Sequence, residues 1–193
     1  MVIIAFTFTV IPKIIQISNK SLMFSKKEDA IFNMMSKAMD ISLKEYDEKN
    51  TKYDDILLTG NQNILECNTT TNYRIGGFVG SRNCINHIEE SAIGADSNEP
   101  PYDDVDDYNG FHETLSYGHT TYDINVTVGY TDEWNKNNYN GTSLDFHFTN
   151  TSNNKKTNIK RIEIKVSQNG KEISSVKYYS ANIGHIKIGS VQW

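Results

Sequence analysis

Apolar and polar residues alternate in short runs along the C-terminal part of the chain. A period of two with one apolar face is typical of half-buried antiparallel strands. Residues 122–193 are therefore predicted to form an antiparallel β-meander. The apolar positions of the runs are Tyr122, Ile124, Val126, Val128 and Tyr130, then Leu144, Phe146 and Phe148, then Ile162, Ile164 and Val166, and finally Val176, Tyr178, Ile186 and Ile188.

A turn signal lies between two of these runs. Asn169 and Gly170 separate residues 161–167 from residues 171–179. Both residue types tolerate positive φ, which a two-residue turn of type I′ requires at its two central positions. We therefore expect a tight hairpin centred on these two residues.

The first part of the chain has a helical period. Between Ile14 and Tyr46 there is neither glycine nor proline, and apolar side chains recur seven apart with intermediate positions filled. This spacing predicts an amphipathic helix over residues 18–47 whose apolar stripe packs on the sheet. The stripe consists of Ile17, Phe24, Ile31, Met34, Ala38 and Ile41.

Residues 1–17 are more apolar still. Met1 to Ile11 carries no charge, and Pro12 and Lys13 then interrupt the run. A membrane span takes about 20 apolar residues, so we expect an anchor whose front lies upstream of Met1, with a buried core helix as the alternative. Pro12 is expected to bend this helix without ending it. The residues predicted to enter the membrane or an assembly are Ile3, Ile4, Phe6, Phe8, Pro12, Ile14 and Ile15.

The acidic side chains are concentrated in one region. The 193 residues carry a formal net charge of −5, while residues 51–120 hold twelve acidic and three basic side chains. The mean hydropathy of −0.55 excludes a polytopic membrane protein, and the mild acidity gives no reason to expect a nucleic-acid partner. We predict an α+β protein with a long helix in residues 1–50 and a head in residues 51–193. The head begins with an irregular acidic insertion, residues 51–121.

Four carboxylates stand within five residues of that insertion. They are Asp103, Asp104, Asp106 and Asp107. Crowded carboxylates are costly unless water or a cation neutralises them, and Ca²⁺ accepts several carboxylate oxygens. The segment is thus a candidate Ca²⁺ site, although it lacks the glycine and glutamate of an EF-hand loop. A solvated turn capped by aspartates is the alternative.

The two cysteines, Cys67 and Cys84, are a candidate disulfide. They lie seventeen positions apart. In an exported protein such a bond would close a loop and contribute about 3 kcal/mol on the chain-entropy model. The alternative is two free thiols, and the sequence shows no metal-binding cysteine motif.

No nucleophile motif, phosphate loop or zinc motif is present, so no enzymatic activity is expected. Two alternatives to a structural role stay open. One is a secreted or surface β-domain that binds a ligand such as a glycan, with Trp134 beside Asn135–Asn140 as its aromatic contact. The other is a metal-dependent hydrolase built on the aspartate cluster.

Taken together, these pieces resemble type IV pilin-like proteins, which include the pseudopilins of type II secretion. The segment Ile3–Ile17 and the amphipathic helix resemble the distal part of a pilin N-terminal helix. The segment Tyr102–Gly110, the strand Tyr122–Tyr130 and the late hairpin are similar to minor pilins of the mannose-sensitive haemagglutinin pilus. The family's basic leader, Gly-Phe junction and following Glu are absent from this sequence; either they lie upstream of Met1, or the chain is a defective relative of the family.

The resemblance implies a non-enzymatic structural subunit of a type IV pilus or a type II secretion-like filament. Its partners would be other pilin or pseudopilin subunits and the inner-membrane assembly machinery. The expected location is the bacterial inner membrane with the head in the periplasm, and then the pilus, pseudopilus or cell surface.

Overall fold

The computed structural model describes residues 2–53, 56–60, 65–78, 82–94, 102–117, 120–132 and 155–183. Within these residues the strands form one antiparallel sheet in the order β1-β2-β3-β4. The predicted α+β class, with a long N-terminal helix and an antiparallel sheet, is confirmed. The elements are α1 (Val2–Ser42), α2 (Glu48–Tyr53), a 3₁₀-helix (Asp106–Tyr108), β1 (His112–Tyr117), β2 (Thr120–Tyr130), β3 (Ile159–Gln168) and β4 (Lys171–Ala181).

The helix α1 continues through Pro12, although proline removes one backbone hydrogen bond. It has 41 residues, which corresponds to about 60 Å at 1.5 Å per residue. The side chains of Ile3, Ile4, Phe6 and Phe8 lie outside the described part of the structure.

Only the second half of α1 packs on the sheet. Its buried residues recur at helical spacing and face the apolar side of β2 and β3. Near the start of this contact, the Tyr122 hydroxyl donates to the carbonyl of Lys26 at 3.1 Å. The core contains Ala30, Met34, Ala38 and Ile41 from α1, and Tyr122, Ile124, Val126, Val128, Ile162, Ile164 and Val166 from the sheet.

The predicted stripe is therefore wrong in its first half. Ile17 and Phe24 are 67% and 65% exposed, and Ile31 is also exposed. The sheet does not extend along the helix as far as Phe24, and Ala30 rather than Ile31 is the buried residue at that turn of α1. Met34, Ala38 and Ile41 are buried.

The helix also ends earlier than predicted, at Ser42 rather than near residue 47. The chain turns away because Glu45 pairs with Asp104 in an isolated parallel bridge, in which the Val105 N–H donates to the Glu45 carbonyl at 3.0 Å. Asp47 then caps α2, since its Oδ1 accepts the Lys49 N–H at 3.0 Å.

The predicted irregular insertion, residues 51–121, is not irregular throughout. It contains β1 and the first residues of β2, paired from His112↔Asn125 to Tyr117↔Thr120. Strand β1 was not predicted because its only apolar side chains are Leu115 and the ring of Tyr117. Polar His112, Thr114 and Ser116 occupy the other positions.

We call residues 103–107, which contain the four aspartates, the acidic segment. Between α2 and this segment, Cys67 and Cys84 form a disulfide with a Cα–Cα distance of 6.5 Å. Both cysteines pack with Ile56 and Leu58 in a small second core. This core holds together the described loop residues 56–60, 65–78 and 82–94.

The β3–β4 hairpin has the expected turn. Asn169 and Gly170 have φ of 52° and 74°, the positive values that a type I′ turn needs. The predicted runs at Leu144–Phe148 and at Ile186 and Ile188 lie outside the described residues.

The predicted inner-membrane anchor, residues 1–17, is contradicted. No helix in the described part of the chain combines the length and the apolar character needed to cross a membrane. The apolar run that starts α1 is soon interrupted by Lys13, Gln16, Asn19 and Lys20, which leaves it short of the roughly 20 residues that a span requires.

Candidate functional site

Asp104 links the turn between α1 and α2 to the acidic segment through hydrogen bonds. Its Oδ1 accepts the N–H groups of Asp106 and Asp107 at 3.0 and 3.2 Å. Its Oδ2 accepts the N–H of Glu48, the first residue of α2, at 2.9 Å. One buried carboxylate thus satisfies three backbone donors, closing its own turn and capping a helix.

Lys160 of β3 is fully buried beneath this turn. Its Nζ donates to Asp106 Oδ1 at 2.6 Å and to the Tyr46 carbonyl at 2.7 Å. Asp47 Oδ2 lies 3.8 Å away, and the Tyr46 ring centroid lies 4.1 Å away. A buried ion pair is tolerated only when further hydrogen bonds accompany it, and here the ammonium has carboxylate and carbonyl acceptors.

Sequence reasoning missed Lys160, although the strand pattern contains a signal for it. Lys160 stands two residues before Ile162 and so shares the face of Ile162, Ile164 and Val166. A lysine at a core-facing position needs a buried acceptor. The carboxylate of Asp106 is that acceptor.

Ser91 lies between the carboxyls of Asp47 and Glu48. Ser91 Oγ lies 2.7 Å from Asp47 Oδ2, and 3.0 and 2.9 Å from Oε1 and Oε2 of Glu48. A hydroxyl has one hydrogen to donate, and the nearest acceptor is Asp47. The Ser91 contact with Glu48 opposes the rise in the pKa of Glu48 that burial causes. Burial raises the pKa of Glu48 to about 8, with further contributions from Asp104 and from the charge of Asp47.

Glu90 is a second carboxyl that favours its neutral form. It is 1% exposed, and its Oε2 lies 2.6 Å from the Tyr46 hydroxyl, which is also 2.5 Å from the Thr157 carbonyl. Its Oε1 has no hydrogen-bond partner. Burial raises the pKa of Glu90 to about 7, against the opposing effects of the Tyr46 hydrogen bond and of Lys160.

These groups form what we call the acidic core. Burial also raises the pKa of Asp104 to about 7 and that of Asp106 to about 6, although Lys160 opposes both shifts. Crowded carboxyls in a low dielectric reach neutrality by taking up protons. The arrangement can therefore bind and release protons near neutral pH. The acidic core comprises Lys160 and the carboxyls of Asp47, Glu48, Glu90, Asp104 and Asp106.

The structure brings together a different carboxylate set from the one predicted for Ca²⁺. Among the described residues, ligand oxygens of Asp47, Glu48 and Asp104 lie within 4.8 Å of one another. Of the predicted four, this set contains Asp104 alone. Asp106 bonds to Lys160, Asp103 is exposed, and Asp107 Oδ2 accepts the Asp103 N–H at 3.1 Å. The oxygens of Asp47 and Asp104 already accept backbone N–H groups.

The second candidate site is the apolar surface of α1 that the sheet leaves uncovered. Along its first half, exposed apolar side chains point in several directions. Alongside the sheet, a stripe with spacing of three, four and four follows the solvent side of the helix. We call the two sets together the uncovered surface of α1. The first set is Ile11, Ile14, Ile15, Ile17, Leu22, Met23 and Phe24, between 50% and 70% exposed, and the second is Phe32, Met35, Met39 and Leu43, between 45% and 85% exposed.

Comparisons with protein-family models, with curated proteins and with solved structures found no match. The resemblance to type IV pilin-like proteins therefore stays a prediction from sequence. Trp134, the aromatic residue of the glycan-binding alternative, lies outside the described residues.

Proposed function

We propose that this chain is a non-enzymatic structural subunit of a type IV pilin-like filament, either a type IV pilus or a type II secretion-like filament. Other subunits would pack on the uncovered surface of α1. The observation that carries the proposal is the extent of this surface among the described residues, which comprises ten large apolar side chains on α1 and Leu43 directly after it.

Such a surface is unfavourable in an isolated molecule. A helix that is apolar on several sides is normally buried against neighbours, and soluble monomers rarely expose large contiguous apolar patches. The head covers one side of α1 between Ala30 and Ile41. The remaining surface is therefore available to another helix of similar character, such as α1 of a second subunit.

The charges on α1 favour contact between different parts of two copies. The part of α1 before Glu28 carries Lys13, Lys20, Lys26 and Lys27 and no acidic residue, whereas the part from Glu28 to Ser42 carries Glu28, Asp29 and Asp40 and a single lysine, Lys37. The part before Glu28 in one copy is thus complementary in charge to the part after it in another. When copies meet through two different patches, each copy can bind the next one. The assembly then grows into an open filament, unless the rotation that relates one copy to the next closes a ring.

The proposal is tested by placing charge on the uncovered surface. The double variant Ile14→Glu and Phe24→Glu should abolish concentration-dependent assembly, measured by sedimentation velocity and negative-stain electron microscopy. The matched control, Thr121→Glu with Asn125→Glu, adds the same charge to exposed positions of β2 and should assemble like the parent chain. Self-association with a micromolar Kd would be nearly complete at about 100 μM. A parent chain that is still monomeric at that concentration would contradict the proposal.

A further inference from the structure

Arg161 of β3 is a buried cation without adequate partners. It is paired across the sheet with Gly129 and Tyr179, on the face opposite to the one that carries Ile162 and Ile164. Its side chain is 7% exposed, and its Nε and Nη1 are buried without a hydrogen-bond partner among the described residues. A guanidinium presents five N–H donors, and leaving them unpaired in the interior is costly.

The neighbouring carboxylate of Glu163 does not satisfy the unpaired N–H groups of Arg161. Arg161 Nη2 lies 3.8 Å from Glu163 Oε2, which is beyond hydrogen-bond distance. Lys165 and Lys177 also approach the Glu163 carboxylate, at 3.4 and 3.7 Å. Three cations therefore approach Glu163, and with Glu172, whose Oε2 lies 4.0 Å from Lys165, three described cations meet two carboxylates on this part of the sheet.

Two residues of β2 beside Arg161 bring no carboxylate to the guanidinium. Gly129, the β2 partner of Arg161, contributes no side chain on that face. Thr127, two residues earlier and opposite Glu163, is exposed and offers a hydroxyl. A small group held at Arg161 would thus meet donors and no additional carboxylate from β2.

We propose that Arg161 anchors a binding site for an oxyanion, a phosphate, sulfate or carboxylate group, on the face of the sheet turned away from α1. The planar guanidinium suits such groups because it donates two parallel hydrogen bonds. Lys177 supplies additional positive charge, and Glu163 keeps the cations in place. The site is independent of the filament proposed above, because it lies on the opposite side of the sheet from α1.

The test uses the whole chain and thermal unfolding at constant ionic strength in a chloride buffer. Sodium phosphate, sulfate and acetate are titrated separately. The melting temperature should rise and saturate with at least one of them, by about 3–5 °C at ten times the Kd. Arg161→Met should lose this response, while Lys171→Met, which removes an exposed lysine of the same hairpin, should keep it.

Each outcome is decisive. Saturation with acetate alone identifies a carboxylate group, and saturation with phosphate or sulfate identifies a tetrahedral oxyanion; both support the site. A parent chain without any saturable response, or a response that survives in Arg161→Met, overturns it. If Arg161→Met does not fold, the side-chain Nε–H resonance of Arg161 in the parent chain replaces it as the readout, and the proposal requires that this resonance shift on titration.

Discussion

The Nζ of Lys160 lies 2.6 Å from Oδ1 of Asp106, and both side chains are almost wholly buried. This ion pair joins strand β3 to the 3₁₀-helix of the acidic segment. Through Asp104 the same segment holds the first turn of α2. A single lysine therefore connects the sheet to the corner where α1 ends.

Replacement of Lys160 by methionine should strongly destabilise the protein. The variant leaves Asp106 and Asp47 buried without their cation, and breaking a buried pair in this way costs about 3–5 kcal/mol. Urea unfolding followed by circular dichroism measures the loss in the free energy of unfolding.

Two controls distinguish the buried pair from a general effect of removing a lysine. Lys177→Met removes a partly exposed lysine and should change stability by no more than about 0.5 kcal/mol. The double variant Lys160→Met with Asp106→Asn should recover part of the loss, because one of the two unpaired carboxylates is gone. Equal losses in Lys160→Met and Lys177→Met would contradict the role given to Lys160.

Glu48→Gln should weaken the pH dependence of stability. The pKa of Glu48 is raised from 4.5 to about 8 in the folded state, so the folded state binds this proton more tightly than the unfolded state. The stability that this tighter proton binding gives the folded state is fully present below about pH 4.5 and is lost as the pH rises through about 8. Gln keeps a neutral side chain at every pH. The free energy of unfolding of the variant should therefore exceed that of the parent chain at high pH. The difference should be about 1–2 kcal/mol at pH 8.5, after allowing for solvent screening of this half-exposed group.

The measurement is the difference in unfolding free energy between variant and parent chain at several values between pH 5 and 8.5. Glu172→Gln, at a half-exposed position of β4, is the matched control and should show a difference that does not change with pH. A constant difference for Glu48→Gln as well would mean that Glu48 is ionised throughout this range.

Loss of the Cys67–Cys84 bond should destabilise the loops around the second core. The bond spans seventeen positions, for which the chain-entropy model gives about 3 kcal/mol. The double variant Cys67→Ser with Cys84→Ser should lose this amount in urea unfolding, and the parent chain should match it after reduction. Mass spectrometry after alkylation, with and without prior reduction, checks that the thiols are paired. Identical masses would contradict the bond.

Much of the fold can be predicted from the sequence because its periods are local. The alternation of Ile162, Ile164 and Val166 marks β3, and Asn169 with Gly170 marks the turn after it. Which part of α1 the sheet covers is not determined by the local sequence. Strands of eleven residues extend over about 35 Å, roughly half the length of α1, and no helical period indicates which half is covered.

The acidic core could be predicted only in part, for a similar reason. The four aspartates are conspicuous in sequence, but their partners are distant from them along the chain. Glu48 and Lys160 meet the segment only through tertiary packing, and the predicted helix would have placed Glu48 beyond its last turn. The buried position of Lys160 was readable from the period of β3. The raised pKa of Glu48 depends first on its burial in the folded chain, for which no local pattern gives a signal.

The region of α1 that supports the head can be identified by truncating one apolar residue in each half. Met34→Ala should cost about 2–5 kcal/mol in urea unfolding, because Met34 is buried in the main core and its removal leaves a cavity. Phe24→Ala removes a larger side chain, yet it should cost no more than about 0.5 kcal/mol, since Phe24 is 65% exposed. The two variants should respond in the opposite order in sedimentation velocity, where Phe24→Ala weakens assembly and Met34→Ala, studied at a temperature where it is folded, does not. A large loss of stability in Phe24→Ala would mean that the sheet extends further along α1 than Ala30, as the heptad spacing predicts.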